Sequence, residues 1–149
     1  MTLKQKVHDH YLRLINEKVT LLQQVLSDLK ESGSNETKST AGDKYETALA
    51  MLQIEQANTH AQLKEVLEQK AILEKLNPAV AAASIVHGSL IKTNRGWLYL
   101  SIALGKVTVD NIAVIALSPQ SPLGMKLMGL STGGIAEVNN NQYLIESID

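Results

Sequence analysis

The chain has no cysteine and no phenylalanine, only three prolines, and aromatic residues fill just 3% of its 149 positions. Without cysteine, disulfides and thiolate metal sites are excluded. With so few rings, a large pocket walled by aromatic side chains is not expected. The net charge is −1, so no bulk basic field exists to hold nucleic acid non-specifically. No apolar run approaches the roughly 18 residues of a membrane span. Met1 to Leu14, with Lys4, Lys6, His8, Asp9, His10 and Arg13, has no apolar stretch like that of a signal peptide. The expectation is a cytoplasmic chain of one or two small domains, without a membrane partner.

The charge that is present is concentrated at one end. Residues 1–76 carry ten Lys/Arg and eleven Asp/Glu, leaving four of each for the rest. The first half therefore has the charged exterior of an exposed helical arm, and the second is closer to a buried sheet. From about Lys4 to Lys30 the apolar residues Leu12, Ile15, Val19, Leu22, Leu26 and Leu29 step by three and four, a heptad seam. A second row, Val7, Tyr11, Leu14, Leu21 and Val25, widens the buried face. Such a helix spans roughly 40 Å.

Ser32 to Gly42 is polar except for Ala41 and reads as a loop. A second helix is predicted over Asp43 to Leu76, with Tyr45, Leu49, Leu52, Leu63, Val66 and Leu73 on its seam. Gln56 and Thr59 occupy seam positions, while Ile54, Ala57 and Ala61 lie to one side. The packing face is expected to drift there, or to mark a bend or contact surface. Asn77-Pro78 ends the run, because proline disfavours helix in the residue before it. The two helices form a long antiparallel αα hairpin, with a helical domain at 1–77, its tip loop at 32–43, and a second domain at 78–149.

Beyond Ser84 the period becomes two. Strands are expected over Ile85–Thr93 and Trp97–Leu104, joined at Asn94-Arg95-Gly96, and at Asn111–Leu117. Ser121-Pro122 opens a short helix that closes near Met128-Gly129. A final hairpin pairs Ile135–Asn139 with Gln142–Ile148 across Asn140-Asn141. The fold class is α+β: a coiled-coil hairpin followed by a small antiparallel sheet domain with one short helix.

Function is sought at the tip. Asp43 and Glu46 stand at i and i+3, one face of a helix, and paired carboxylates there can hold a divalent cation through hard oxygens. The same spacing is also a variant capping box, which merely starts a helix. Glu36 adds a third acid, and Lys38 and Lys44 beside these acids read as solvated. His8 and His10 lie on nearly opposite helix faces and cannot share a metal. His60 and His87 carry no assigned role. Gly129-Leu130-Ser131-Thr132-Gly133 matches a hydrolase elbow pattern. That elbow needs a strand before it, a helix after it and a later histidine, and no histidine follows His87. It reads as a glycine-rich turn.

Gly42-Asp43-Lys44-Tyr45-Glu46, at the turn of a long hairpin with a β-rich domain behind it, resembles the Gly-Asp-x-x-Glu tip of Gre-type bacterial transcript cleavage factors. The stretch Ser118-Pro119-Gln120-Ser121-Pro122-Leu123-Gly124-Met125-Lys126-Leu127-Met128-Gly129 is similar to a segment of that family's FKBP-like C-terminal domain, and Gly88-Ser89 also fits. The resemblance implies a transcription elongation factor. Its hairpin would enter the secondary channel of RNA polymerase while the C-terminal domain docks at the rim. Asp43 and Glu46 would act beside the RNA 3′ end as ligands of a magnesium ion shared with the polymerase. The polymerase then cuts its own backtracked RNA, so the chain is not expected to be an enzyme alone, and it meets DNA only through the polymerase.

Two departures touch the tip. Glu46 is followed by Thr47-Ala48-Leu49-Ala50 where the family has Asn-Ala-Glu-Tyr, and the 32–41 stretch is longer than a tight turn. A channel competitor without cleavage stimulation is therefore an alternative. A coiled-coil scaffold or chaperone-like module is another. The FKBP-like resemblance raises prolyl isomerisation, but Trp97, Tyr99 and Tyr143 are too few to wall its pocket. Packing of Trp97 and Tyr99 against the short helix or the hairpin base is the preferred reading of that strand face.

Overall fold

A computed structural model describes residues 1–39 and 43–149, with side chains described for 1–33 and 46–149. Helix α1 (Leu3–Ser39) and helix α2 (Asp43–Lys75) form a helical hairpin. Six strands follow: β1 (Leu90–Thr93), β2 (Gly96–Leu100), β3 (Gly105–Val109), β4 (Ile112–Leu117), β5 (Ile135–Val138) and β6 (Asn141–Ile148). Helix α3 (Pro122–Leu127) lies between β4 and β5 in sequence. The chain divides into two compact units, Leu14–Lys70 and the combination of Met1–Arg13 with Ala71–Asp149. The division passes through both helices. Val7, Tyr11 and Leu73 explain this, since all three are fully buried within the sheet unit.

In the helical unit the heptad seam holds. Ile15 and Val19 are buried on α1, and Leu22, Leu26 and Leu29 are half-buried. On α2 the covered positions are Leu49, Leu52, Gln56, Thr59, Leu63 and Val66, spaced by three and four. The packing face does not drift as expected: Ile54, Ala57 and Ala61 are exposed, and the polar residues stay in the seam. Thr59 is only 8% exposed. Its hydroxyl donates to the Glu55 carbonyl at 2.9 Å, so its hydrogen bond is made within its own helix.

A Cβ placed on Gly33 would lie 2.8 Å from Leu52 Cδ2, so the helices approach closely there. Antiparallel heptad steps from that point bring Leu26 level with Thr59 and Leu29 level with Gln56. Polar groups placed singly in such a seam favour one register over its neighbours. The second apolar row is core only near the start of α1: Leu21 is 64% exposed and Val25 36%.

Helix α1 also runs on to Ser39, through most of the stretch expected to be a loop. Ser, Asn and Thr each cost a helix only a few tenths of a kcal/mol. Once a helix is nucleated, adding a residue is far easier than starting anew.

The sheet order is β3-β4-β2-β1-β6-β5. It is mixed, where an antiparallel sheet was expected, because β4 runs parallel to β2 with Tyr99 beside Ala116 and Leu100 beside Leu117. The unexpected β3 is the reason. It turns back to the sheet edge and pairs with β4 across Asp110-Asn111, both at positive φ (51° and 62°). That is the primed turn geometry that suits a tight hairpin. The returning β4 then slots beside β2, where its apolar side chains are covered.

Strand β1 starts at Leu90 and not at Ile85. The Ser89 hydroxyl accepts from the Val86 amide at 3.0 Å and Gly88 sits at φ +99°, which closes a turn before the strand. Strand β2 stops at Leu100, ahead of Gly105 at φ +76°. The last hairpin turns on Asn139-Asn140 (φ 52° and 65°), one position earlier than expected.

Both faces of the central strands are covered. On one, Ile85, Ile91, Leu98, Leu100, Leu117, Leu127, Ala136 and Ile145 form the core under α3. On the other, Tyr99, Leu90 and Val114 are buried, with the early turns of α1 supplying Tyr11. Each such aliphatic side chain contributes about 1.5–3 kcal/mol by leaving water.

Candidate functional site

Helix α2 opens at Asp43, and Glu46 follows in its first turn as an exposed residue. The side chains of Glu36, Lys38, Asp43, Lys44 and Tyr45 lie outside the described residues. Glu46 is thus one accessible hard-oxygen donor near the start of a helix, where a negative charge is favoured by the macrodipole. Among the described residues no group of three or more His, Cys, Asp or Glu converges on a possible metal position.

A buried polar cluster in the sheet unit escaped the sequence reading. Lys4, Val7, His8 and Tyr11 share one face of α1, and all four are buried. His8 Nδ1 lies 2.7 Å from the Tyr99 hydroxyl. Tyr11 and Tyr99 stack with ring centroids 6.1 Å apart. The Tyr11 hydroxyl donates toward the carbonyls of Gly105 (2.8 Å) and Val114 (3.1 Å). Lys4 Nζ donates to the Val80 carbonyl at 2.6 Å. The available signal was the i, i+4, i+7 spacing of Lys4, His8 and Tyr11 beside Val7. Val7 and Tyr11 were read as part of a buried row, but Lys4 and His8 were not placed with them, because Lys and His are usually exposed.

Burial dominates the titration of this cluster. It pushes the Tyr11 phenol up to about 12 and the Tyr99 phenol higher still. Burial also lowers the Lys4 ammonium, with Asp149 opposing. His8 is held below its ordinary 6.5 by burial, with Asp9 opposing and Lys4 adding to the effect. Burial disfavours the imidazolium, and which of His8 Nδ1 and the Tyr99 hydroxyl donates follows from the imidazole tautomer.

His8 therefore binds a proton more readily in the unfolded chain. Its stabilising contribution is present above pH 6.5 and is lost as pH falls through the lower folded value. Urea unfolding followed from pH 7.5 down to about 5 should show stability declining in the acid limb. His8→Gln, which cannot titrate, should flatten that limb. An unchanged slope in the variant would refute the assignment.

The remaining sequence candidates settle as structural. Tyr99 packs against the start of α1, which fits the preferred reading, and Trp97 is half-buried with Lys92 Nζ 5.8 Å from its ring centroid. Ser121 caps α3, its hydroxyl accepting from the Gly124 amide at 3.0 Å. The Gly129–Gly133 pattern follows a helix and precedes a strand. Gly129 and Gly133 sit at φ 83° and 90°, and Ser131 bridges Ser84. This is a turn and not a nucleophile elbow. His60 is exposed, and His87 Nε2 donates to the Ser101 carbonyl at 3.0 Å. A cleft of about 250 Å³ in the sheet unit is lined by aliphatic and basic residues, without Trp or Tyr.

Among the described residues, no helix is long and apolar enough to cross a membrane. No protein-family model and no curated protein sequence matches the chain. Several solved structures are similar to it along most of its length. One is the crystal structure of GreA factor homolog 1 (Gfh1) of Thermus thermophilus, at 18% identity and a TM-score of 0.35, covering 97% of this chain and 93% of that one. Gfh1 of Thermus aquaticus is 18% identical with a TM-score of 0.31, covering 97% and 92%. A further structure of the transcription factor Gfh1 is 17% identical with a TM-score of 0.36, covering 92% of each chain.

Proposed function

We propose that the chain is a Gre-type transcription elongation factor of the cytoplasm, acting on RNA polymerase through the secondary channel. The observation that carries this reading is the acidic motif Gly42-Asp43-Lys44-Tyr45-Glu46, placed where a heptad-packed hairpin reverses into α2. The Ser118–Gly129 segment, folded as a capped helix after β4, supports it.

In this reading Asp43 and Glu46 are lent to the polymerase as oxygen ligands of a shared magnesium ion. When bound there, the ion supplies Lewis-acid stabilisation and an activated water for phosphodiester hydrolysis. The contribution of this chain is placement: helix α2, packed on α1 through a heptad seam, opens at Asp43 and carries Glu46 in its first turn. Such pre-organisation is what turns a free anion into an effective ligand. The chain is not a nuclease by itself in this proposal.

The test is a backtracked elongation complex with 3′-labelled RNA. Adding the protein should accelerate release of short 3′ fragments in a magnesium-dependent way. A second reading, a channel competitor that does not stimulate cleavage, is favoured by Thr47-Ala48-Leu49-Ala50 after Glu46. Displacement of a known channel ligand without fragment release would establish that reading. Failure to bind polymerase at all would sink both and favour a scaffold role.

A further inference from the structure

The geometry points to a binding cleft in the sheet unit for a small organic carboxylate with a short aliphatic body, independent of the polymerase reading. The cleft, about 250 Å³, lies between the first turn of α1, the end of α2 and the connection that follows it. Lys4 and Lys75 supply its charge, and no acidic residue lines it. Leu76, Val80 and Val86 supply apolar wall. Val80 is 61% exposed and Val86 43%, so these side chains are available to a ligand.

Lys4 is the unusual element. Its side chain is only 5% exposed, yet its one recorded hydrogen bond is to the Val80 carbonyl. An ammonium has three protons to donate. Among the described residues no carboxylate pairs with Lys4 or Lys75, whereas Lys6 pairs with Asp110 at 2.8 Å. Asp149 acts on the Lys4 ammonium without pairing with it and does not line the cleft. Burial therefore remains the larger effect, and an anion entering the cleft would complete a charge balance that Asp149 only partly supplies. Structural duties exist for both residues. Lys4 ties down the Val80 carbonyl, and Lys75 sits in the last turn of α2, where a cation suits the helix dipole. Neither duty uses the remaining Lys4 protons or explains an acid-free void beside them.

Size and lining select the occupant. At about 30 Å³ per water, the space holds about eight waters, or a carboxylic acid of five or six carbons. Inorganic phosphate would meet the cations and leave the aliphatic wall empty. A longer acid would extend out of the cleft into water and gain little further apolar contact.

The probe is 4-methylpentanoate, titrated into the full chain and followed by amide NMR at Val80, Val86, His87 and Gly88. Saturable shifts are expected with Kd on the order of 1 mM. Acetate and inorganic phosphate should bind about tenfold more weakly, for want of the apolar contact. Lys75→Gln, an exposed position, should stay folded with only the small loss of a helix-end cation and weaken binding about fivefold. Lys4→Met should abolish binding if the variant folds, as its amide spectrum will report. Absence of saturation at those amides overturns the proposal. So does phosphate binding as tightly as 4-methylpentanoate, or Lys75→Gln binding as tightly as wild type.

Discussion

Asp43→Ala should return transcript cleavage in a backtracked complex to the polymerase's own rate, while competition for the channel is retained. The expected loss is total for the stimulated fraction, because a shared ion with one protein carboxylate removed keeps neither its charge balance nor its geometry. Alanine alone does not separate the two readings of the motif, since it also removes a residue able to cap α2. Asp43→Asn does. Asparagine caps a helix as well as aspartate, but it is a neutral and weaker ligand for a hard cation. If cleavage disappears in both variants, the carboxylate acts on the ion. If Asn is as active as Asp, the motif only starts the helix and the magnesium assignment of Asp43 fails. Glu46→Gln, at an exposed position, extends the same comparison to the second acid.

Gly124→Ala should be the most damaging single methyl in the sheet unit, lowering stability by about 3 kcal/mol or more. The added Cβ would drive into the Ser118 carbonyl oxygen, and it would lie 2.8 Å from Ser121 Oγ and 3.0 Å from the Pro119 Cα. Two of these neighbours are backbone atoms in a segment held by Ser121 itself, whose hydroxyl donates to the Ser118 carbonyl at 2.6 Å. No flexible side-chain end is available to yield. Ser121→Ala is the calibrating variant: it removes the α3 cap without adding volume and should cost about 1 kcal/mol. Chemical denaturation of both gives the comparison. A Gly124→Ala chain as stable as Ser121→Ala would mean that the segment can open at little cost. The glycine in the Ser-Pro-rich stretch is therefore explained by close backbone approach alone.

The heptad spacing of Leu12, Ile15, Val19, Leu22 and Leu26 was sufficient to place the first helix and its buried stripe. Periodicity needs no tertiary information, because side chains three and four apart meet on one face whatever they pack against. The α3 cap at Ser121-Pro122 and the strand at Ile112–Leu117 were readable for similar local reasons. The second helix's stripe was misread around Gln56 and Thr59, where polarity suggested a shifted face. Thr59 stays buried because its hydroxyl bonds to its own helix, an option that composition does not reveal.

Strand β3 was missed, and Asn111, which belongs to its turn with Asp110, was read as the start of the next strand. Their effect depends on φ values that only a formed hairpin imposes. The parallel alignment of β4 with β2 is likewise a matter of which strand each one finds as neighbour. The same limit explains the buried cluster. Lys4, His8, Tyr11 and Tyr99 come together because α1 crosses a sheet whose residues lie some 90 positions further along the chain, as His8 and Tyr99 do (91 apart). Spacing along the chain thus determined the helices and the capped turn, both products of contacts within a few residues. Partners, charge burial and the acid-free cleft were decided only by folding, since each is set by groups that sequence distance keeps apart.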